Sequence, residues 1–207
     1  IDPKTVIGEH VKGNSTIYPV YGSVLNIQKL CDCILVDAAG SAFQNGTTKY
    51  VGSNFSGNVY NMFDINGKKM YGQKHKFGTD KTGTWVGWNS SVDDIEAIIH
   101  AVGPYWQGKK ADTTFYNQLE TTIQNIAKVM KQKTKKTDIA LPLISTGIFG
   151  PINLDLNEYM GKYIQFIENH LSGYTVYLSL FTEKEQDAFD FNQNSSKKSH
   201  SLPKIKK

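Results

Sequence analysis

The segment ALPLISTGIFG at residues 140–150 constrains the fold more than any other stretch. Its first half is apolar enough for a fully buried strand. Its second half breaks into serine, threonine and glycine. Two other apolar runs end the same way, CDCILVDAAG at 31–40 and DIEAIIHAVGP at 94–104. Near-continuous apolar runs of this length suit strands buried on both faces, as in a parallel sheet.

Parallel strands need crossover connections, usually helical. In ADTTFYNQLETTIQNIAKVMKQK (111–133), Phe115, Leu119, Ile123, Ile126 and Met130 share one helical face, with Asp112 placed as the N-terminal cap. In LDLNEYMGKYIQFIENHLSG (154–173), Leu156, Met160, Tyr163, Ile164, Ile167 and Leu171 point inward, and Gly173 stops the helix. STIYPVYGS, TGTWVGWN and YTVYLSLF read as further strands. SVLNIQKL, with Ser23 as N-cap, SNFSGNVYNMFD and EKEQDAFDF read as short helices. The rest of residues 40–80 reads as loop, including MYGQKHKFGTDK, where His75 is expected to be solvated. Alternating strands and helices imply an α/β fold, a three-layer α/β/α sandwich with a mixed, largely parallel central sheet.

The 207 residues suit one domain, expected over 14–191. Residues 1–13 read as an N-terminal extension or expression scar. Residues 192–207 read as a disordered basic tail, with five lysines and no acid in NSSKKSHSLPKIKK. Together these ends suggest one domain of a longer protein. The formal net charge of +4 comes largely from that tail, and the body is close to neutral. All 23 basic residues are lysine, so a phosphate site cannot use the bidentate arginine fork and must rely on backbone N–H groups, hydroxyls or lysine. Cys31 and Cys33 face the same side of a strand and read as buried free thiols, which suits a reducing, cytoplasmic setting. No cysteine–histidine set points to a metal, and no apolar run approaches the ~20 residues of a membrane helix.

In open α/β sheets, ligands bind outside the carboxyl ends of the strands. Three small-residue loops are expected to converge there, and glycine lets backbone N–H groups approach an anion closely. The phosphate-bearing ligand implied is a small molecule, with no metal and no cofactor of the protein's own.

Three segments, in order, carry a family resemblance: VYGSVLNIQKLCDCILVDAAG, TGTWVGWNSSVDDIEAIIHAVGP and ALPLISTGIFG. The chain resembles the macro domains, the ADP-ribose-binding fold. The resemblance implies a ligand-binding set with Ser23 and Val24 at the first turn and Ala38, Ala39 and Gly40 after the second strand. Val102, Gly103 and Pro104 follow a third strand. It implies that the loop Ser145, Thr146, Gly147, Ile148, Phe149 and Gly150 wraps the diphosphate and distal ribose, and that Phe181 lies against the adenine.

The chain also departs from the family pattern. Ser23 stands where the family has an aspartate that accepts from the adenine amino group. Asp37-Ala38-Ala39-Gly40 replaces Asn-Ala-Ala-Asn, so Gly40 lacks the amide that orients the attacking water in hydrolytic members. The family's glycine run becomes FQNGTTKYVGSNFSGNVYNMF, in which Gly52 and Gly57 reshape the pocket and Asn54 or Asn58 is a stand-in for the lost amide. Asp37, Asn54 and Asp155 are the weak catalytic candidates, and Lys49 with Asp155 would be the pair for a lysine-activated variant.

Three functions follow as expectations. The first is a monomeric module that binds ADP-ribose, a related nucleotide or ADP-ribosylated protein. The second is an ADP-ribosyl hydrolase, acting on modified protein or on phosphorylated ADP-ribose through a non-standard loop. The third is a nucleic-acid-binding degenerate macro domain that uses the tail and KQKTKK at 131–136. No membrane partner is expected.

Overall fold

The computed structural model describes residues 6–8, 15–27, 33–38, 54–62, 75–77, 85–89 and 98–200. Eight strands form one sheet: β1 (Val6–Ile7), β2 (Thr16–Tyr21), β3 (Ile34–Ala38), β4 (His75–Phe77), β5 (Trp85–Asn89), β6 (Ile98–Val102), β7 (Asp138–Leu141) and β8 (Thr175–Leu180). Their order is β1-β2-β8-β7-β3-β6-β5-β4. The five central strands, β2, β8, β7, β3 and β6, run parallel, and β1, β5 and β4 extend the edges antiparallel. The sheet is therefore mixed and largely parallel.

Helices cover both faces. On one side, α2 (Thr113–Lys133), α3 (Leu156–His170) and α4 (Glu183–His200) pack over Val36, Ile99, Ile139, Leu141 and Val176. On the other, a 3-10 turn at Val24–Asn26 and α1 (Asn54–Met62) cover Leu35, Ile98, Val102 and Ala140. β3 shows why its run is apolar throughout: Ile34 and Val36 face one core, Cys33 and Leu35 the other, and all four are buried.

The expected inward face of α2 is buried, from Phe115 to Met130, and Asp112 Oδ1 accepts from the Phe115 N–H at 2.8 Å. On α3, Met160, Tyr163, Ile164 and Ile167 are buried while Leu156 is half-buried. Gly173 adopts φ +85° in the turn before β8, the left-handed conformation that glycine takes at little cost.

Four segments differ from the sequence reading. MYGQKHKFGTDK holds a strand, β4, because His75–Phe77 pair with Val86–Trp88 of β5. The expected extension at 1–13 holds β1, which pairs Val6 with Tyr21 and Ile7 with Val20. Strands this short carry almost no periodicity, and the neighbour that pairs with them creates them. The closing helix runs to His200 rather than 191, so residues 192–200 of the expected disordered tail are helical. The helix at SVLNIQKL is a single 3-10 turn over its described part.

Candidate functional site

The parallel strands β6 and β7 release the chain at the same edge of the sheet, and their loops are tied to each other. After β7, Ser145 takes φ +60°, and its Oγ donates to the Pro104 carbonyl in the loop after β6 at 2.8 Å. Gly103 permits this approach. A Cβ there would lie 2.3 Å from Ile144 Cγ2 and 2.5 Å from Ser145 Oγ, well inside contact distance. The Trp106 N–H donates to the Phe149 carbonyl at 2.7 Å, and the Ile152 N–H donates to the Lys109 carbonyl at 2.9 Å. Three hydrogen bonds thus fasten the loop at 145–152 to the loop at 104–109.

Within the fastened loop, Thr146 Oγ1 donates back to the Leu143 carbonyl at 3.2 Å, and the Gly150 N–H donates to the Gly147 carbonyl at 2.9 Å. A Cβ on Gly150 would lie 2.6 Å from the Ser145 carbonyl oxygen, so the turn needs glycine there. A Cβ on Gly147 would meet nothing within 4 Å. Among the described residues, the N–H groups of Gly147, Ile148 and Phe149 donate to no protein acceptor. Successive unpaired N–H groups on a tight loop form an anion-binding concavity. Ile148 and Phe149 are exposed, and Phe149 packs at 5.4 Å between centroids against the exposed ring of Tyr105.

A second group of expected site residues meets at the ends of β2 and β8. The Gly22 N–H donates to the Leu180 carbonyl at 3.3 Å, and Ser179 Oγ donates to the Gly22 carbonyl at 3.0 Å. This brings the Ser23–Val24 turn beside Phe181, whose side chain is 69% exposed. Ser23 Oγ already accepts from the Leu25 N–H at 3.2 Å, which leaves it one lone pair and its own proton. Val24 and Val102 have buried side chains and belong to the core, so they can offer a ligand only backbone. Ala38 is half-buried at the end of β3. Ala39, Gly40, Lys49 and Gly52 lie outside the described residues, as does Cys31.

The catalytic candidates separate. Asp37 is wholly buried, with Oδ2 2.9 Å from His100 Nδ1 on the neighbouring strand, itself wholly buried. The two residues are in register across β3 and β6. Among the described residues, Asp37 Oδ1 has no hydrogen-bond partner. Asp155 is the N-cap of α3, and its Oδ1 accepts from the Asn157 and Glu158 N–H groups at 3.0 and 3.2 Å. Asn54 opens α1, while Gly57 is buried and Asn58 exposed on that helix. His75 lies on β4 rather than in a loop. Cys33 is buried and forms no disulfide.

Two features of the site escaped the sequence reading. One is the Asp37–His100 pair, whose partners are 63 residues apart and meet only through strand register. The other is a pair of tyrosines on α3, Tyr159 and Tyr163, whose hydroxyls reach the segment leading into the loop. Tyrosine at i and i+4 on a buried face was a readable signal, because a buried phenol needs a hydrogen-bond partner.

The lysines of 131–136 line a concavity of their own at the far end of α2. That helix starts beside the β6 loop and runs 21 residues, so roughly 30 Å separates the lysines from the fastened loops. No described helix is long and apolar enough to cross a membrane.

The described structure is thus an α/β sheet with backbone donors presented at its carboxyl edge, and known proteins share this architecture. The macro domain family profile matches residues 60–155, which include both fastened loops. Over those residues, fewer than half of the chain, the sequence is similar to the macro domain family. Among solved structures, the fold is similar to the Oceanobacillus iheyensis macrodomain with ADP, at TM-score 0.69 and 19% identity, covering 94% of this chain and 98% of that one. It is also similar to the Trypanosoma brucei macrodomain in complex with ADP, at TM-score 0.56 and 16% identity, covering 86% of this chain and 68% of that one. A third similarity is to alphavirus P23pro-zbd, at TM-score 0.59 and 15% identity, covering 97% of this chain but 26% of that one. No curated protein matches the chain by sequence.

Proposed function

We propose that this protein is a binding module for ADP-ribose or a closely related nucleotide diphosphate, free or attached to protein. The observation that carries this reading is the row of unpaired N–H groups at Gly147, Ile148 and Phe149, beside open space at Gly147. Backbone donors suit a chain without arginine, because they bind a diphosphate without any side-chain charge. Two solved relatives of the same fold hold ADP, which carries the same diphosphate chemistry. In this arrangement the diphosphate lies on the 145–150 loop, the distal ribose borders Phe149, and the adenine lies toward Ser23 and Phe181.

A binding module is favoured over a hydrolase by the state of the described acids. Asp37 is sealed against His100, and one oxygen of Asp155 is engaged in capping α3. Nucleic acid is a weaker candidate because the lysine cluster at 131–136 stands at the opposite edge of the sheet from the cradle.

The test is calorimetric titration with ADP-ribose, on the wild type and on a Gly147→Glu variant. Micromolar binding that the variant abolishes is the expected result. No binding at millimolar ligand would sink the reading. A steep loss of affinity with salt would instead favour the nucleic-acid alternative, and catalytic release of ADP-ribose from modified protein would favour the hydrolase.

A further inference from the structure

Tyr159 and Tyr163 sit one turn apart on α3, both wholly buried, with rings stacked at 5.2 Å between centroids and 20° between planes. Packing alone would be served by phenylalanine, since a buried hydroxyl is costly unless it is bonded. Both hydroxyls are bonded, and both go to the same short segment. Tyr159 donates to the Ile144 carbonyl at 2.6 Å, and Tyr163 donates to the Pro142 carbonyl at 2.7 Å. Burial raises both phenols well above the ordinary range, so they remain protonated donors at neutral and moderately alkaline pH.

Pinning a carbonyl also aims the next N–H group. Across a planar trans peptide, the C=O and the following N–H point in opposite directions. No peptide bond in the described chain is cis. With the Ile144 carbonyl held toward α3, the Ser145 N–H points away from α3. With the Pro142 carbonyl held there too, the Leu143 N–H does the same. Neither N–H donates to a protein acceptor among the described residues. Ser145 then turns the chain at φ +60° into the row of free donors at 147–149.

Taking the cradle as the anion site, we propose that Tyr159 and Tyr163 are its positioning residues. Their phenols lock the peptide units 142–143 and 144–145, so that the Ser145 N–H joins the donors offered to the diphosphate and the turn starts from a fixed plane. The cradle is thereby set from the core side of the sheet, by groups that never touch the ligand.

The experiment combines two readouts on Tyr159→Phe, Tyr163→Phe and a control, Ile167→Val, which thins the same helix's buried face without touching the loop. The first readout is the amide resonance and hydrogen-exchange rate of Leu143 and Ser145 in labelled protein. The second is calorimetric affinity for ADP-ribose. Tyr159→Phe is expected to shift the Ser145 amide, speed its exchange and weaken ADP-ribose about tenfold, the scale of one buried hydrogen bond. Tyr163→Phe should act on Leu143, with about a threefold effect on affinity. Ile167→Val should lower the thermal midpoint and leave the affinity unchanged.

A Tyr159→Phe protein that unfolds earlier but binds within about twofold of wild type overturns the proposal, because its hydroxyl would then serve stability alone. Failure of the wild type to bind ADP-ribose is a distinct result. It removes the cradle's assigned ligand, and the amide data then decide the role of the phenols. Unmoved Leu143 and Ser145 amides overturn it, and displaced ones uphold it.

Discussion

The ends of β7 and β3 lie side by side in the sheet and solve opposite problems. The end of β7 leads into a loop whose donors face outward, held from below by two phenols and from the side by Pro104. The end of β3 turns inward. Asp37 and His100 close on each other with no exposure to solvent, where a catalytic polar group would need to meet substrate. The comparison sets a loop that offers backbone donors against a strand end that buries its polar side chains. A binding loop needs correctly placed backbone, which many sequences can supply. A catalytic centre needs particular side chains at particular positions, and here the polar side chain at the end of β3 is committed to another side chain.

The largest expected effect tests the β3 side. Asp37→Ala removes the carboxylate that faces the buried His100 at 2.9 Å and should cost about 3 kcal/mol in denaturant unfolding. Asp37→Asn keeps an acceptor near His100 and should cost less than half as much. Equal losses in the two variants would mean that packing, not the polar pair, matters at this position. On the β7 side, Gly147→Glu should weaken ADP-ribose at least about 100-fold. The unfolding midpoint should stay unchanged, because a side chain there meets open space. A drop in stability alongside the lost binding would show the loop to be less open than its geometry.

Smaller effects sharpen the contrast. Ser145→Ala removes the bond to Pro104 and should cost about 1 kcal/mol of stability, with a measurable loss of affinity because the two loops part. Asp155→Ala should cost a similar amount, about 1 kcal/mol, through the lost cap of α3. Its ADP-ribose affinity should be unchanged, which would separate that acid from the site.

The smallest effect is a pH dependence. Burial raises the Glu185 carboxyl above its ordinary 4.5, so the folded chain holds this proton more tightly than the unfolded chain. Stability from this group is therefore full in acid and declines as pH rises from 4.5 through the folded value. Glu185→Gln should match the wild type in acid and gain on it toward neutral pH. Unfolding curves at several pH values read the difference.

Much of this protein was legible in its sequence, because the signals concerned were local. The apolar stripe from Phe115 to Met130, the cap at Asp112 and the continuous run into Asp37 each reflect a periodicity or a cap within a few residues. The small residues at Gly103 and Gly147 marked the edge where the loops gather. Strands β1 and β4 were not legible, since two or three residues have no period and exist only through their neighbours.

The sequence by itself determined the layers, the central strands and the stretch of chain that carries the donors, since buried faces and turn chemistry are written in consecutive residues. Only the tertiary structure decided that Ser145 would clamp Pro104, that His100 would hold Asp37, and that the Tyr159 hydroxyl would reach the Ile144 carbonyl. Each of these is a hydrogen bond between residues on different elements. Such a bond depends on register and distance across the fold, and neither exists until the sheet and helices have packed.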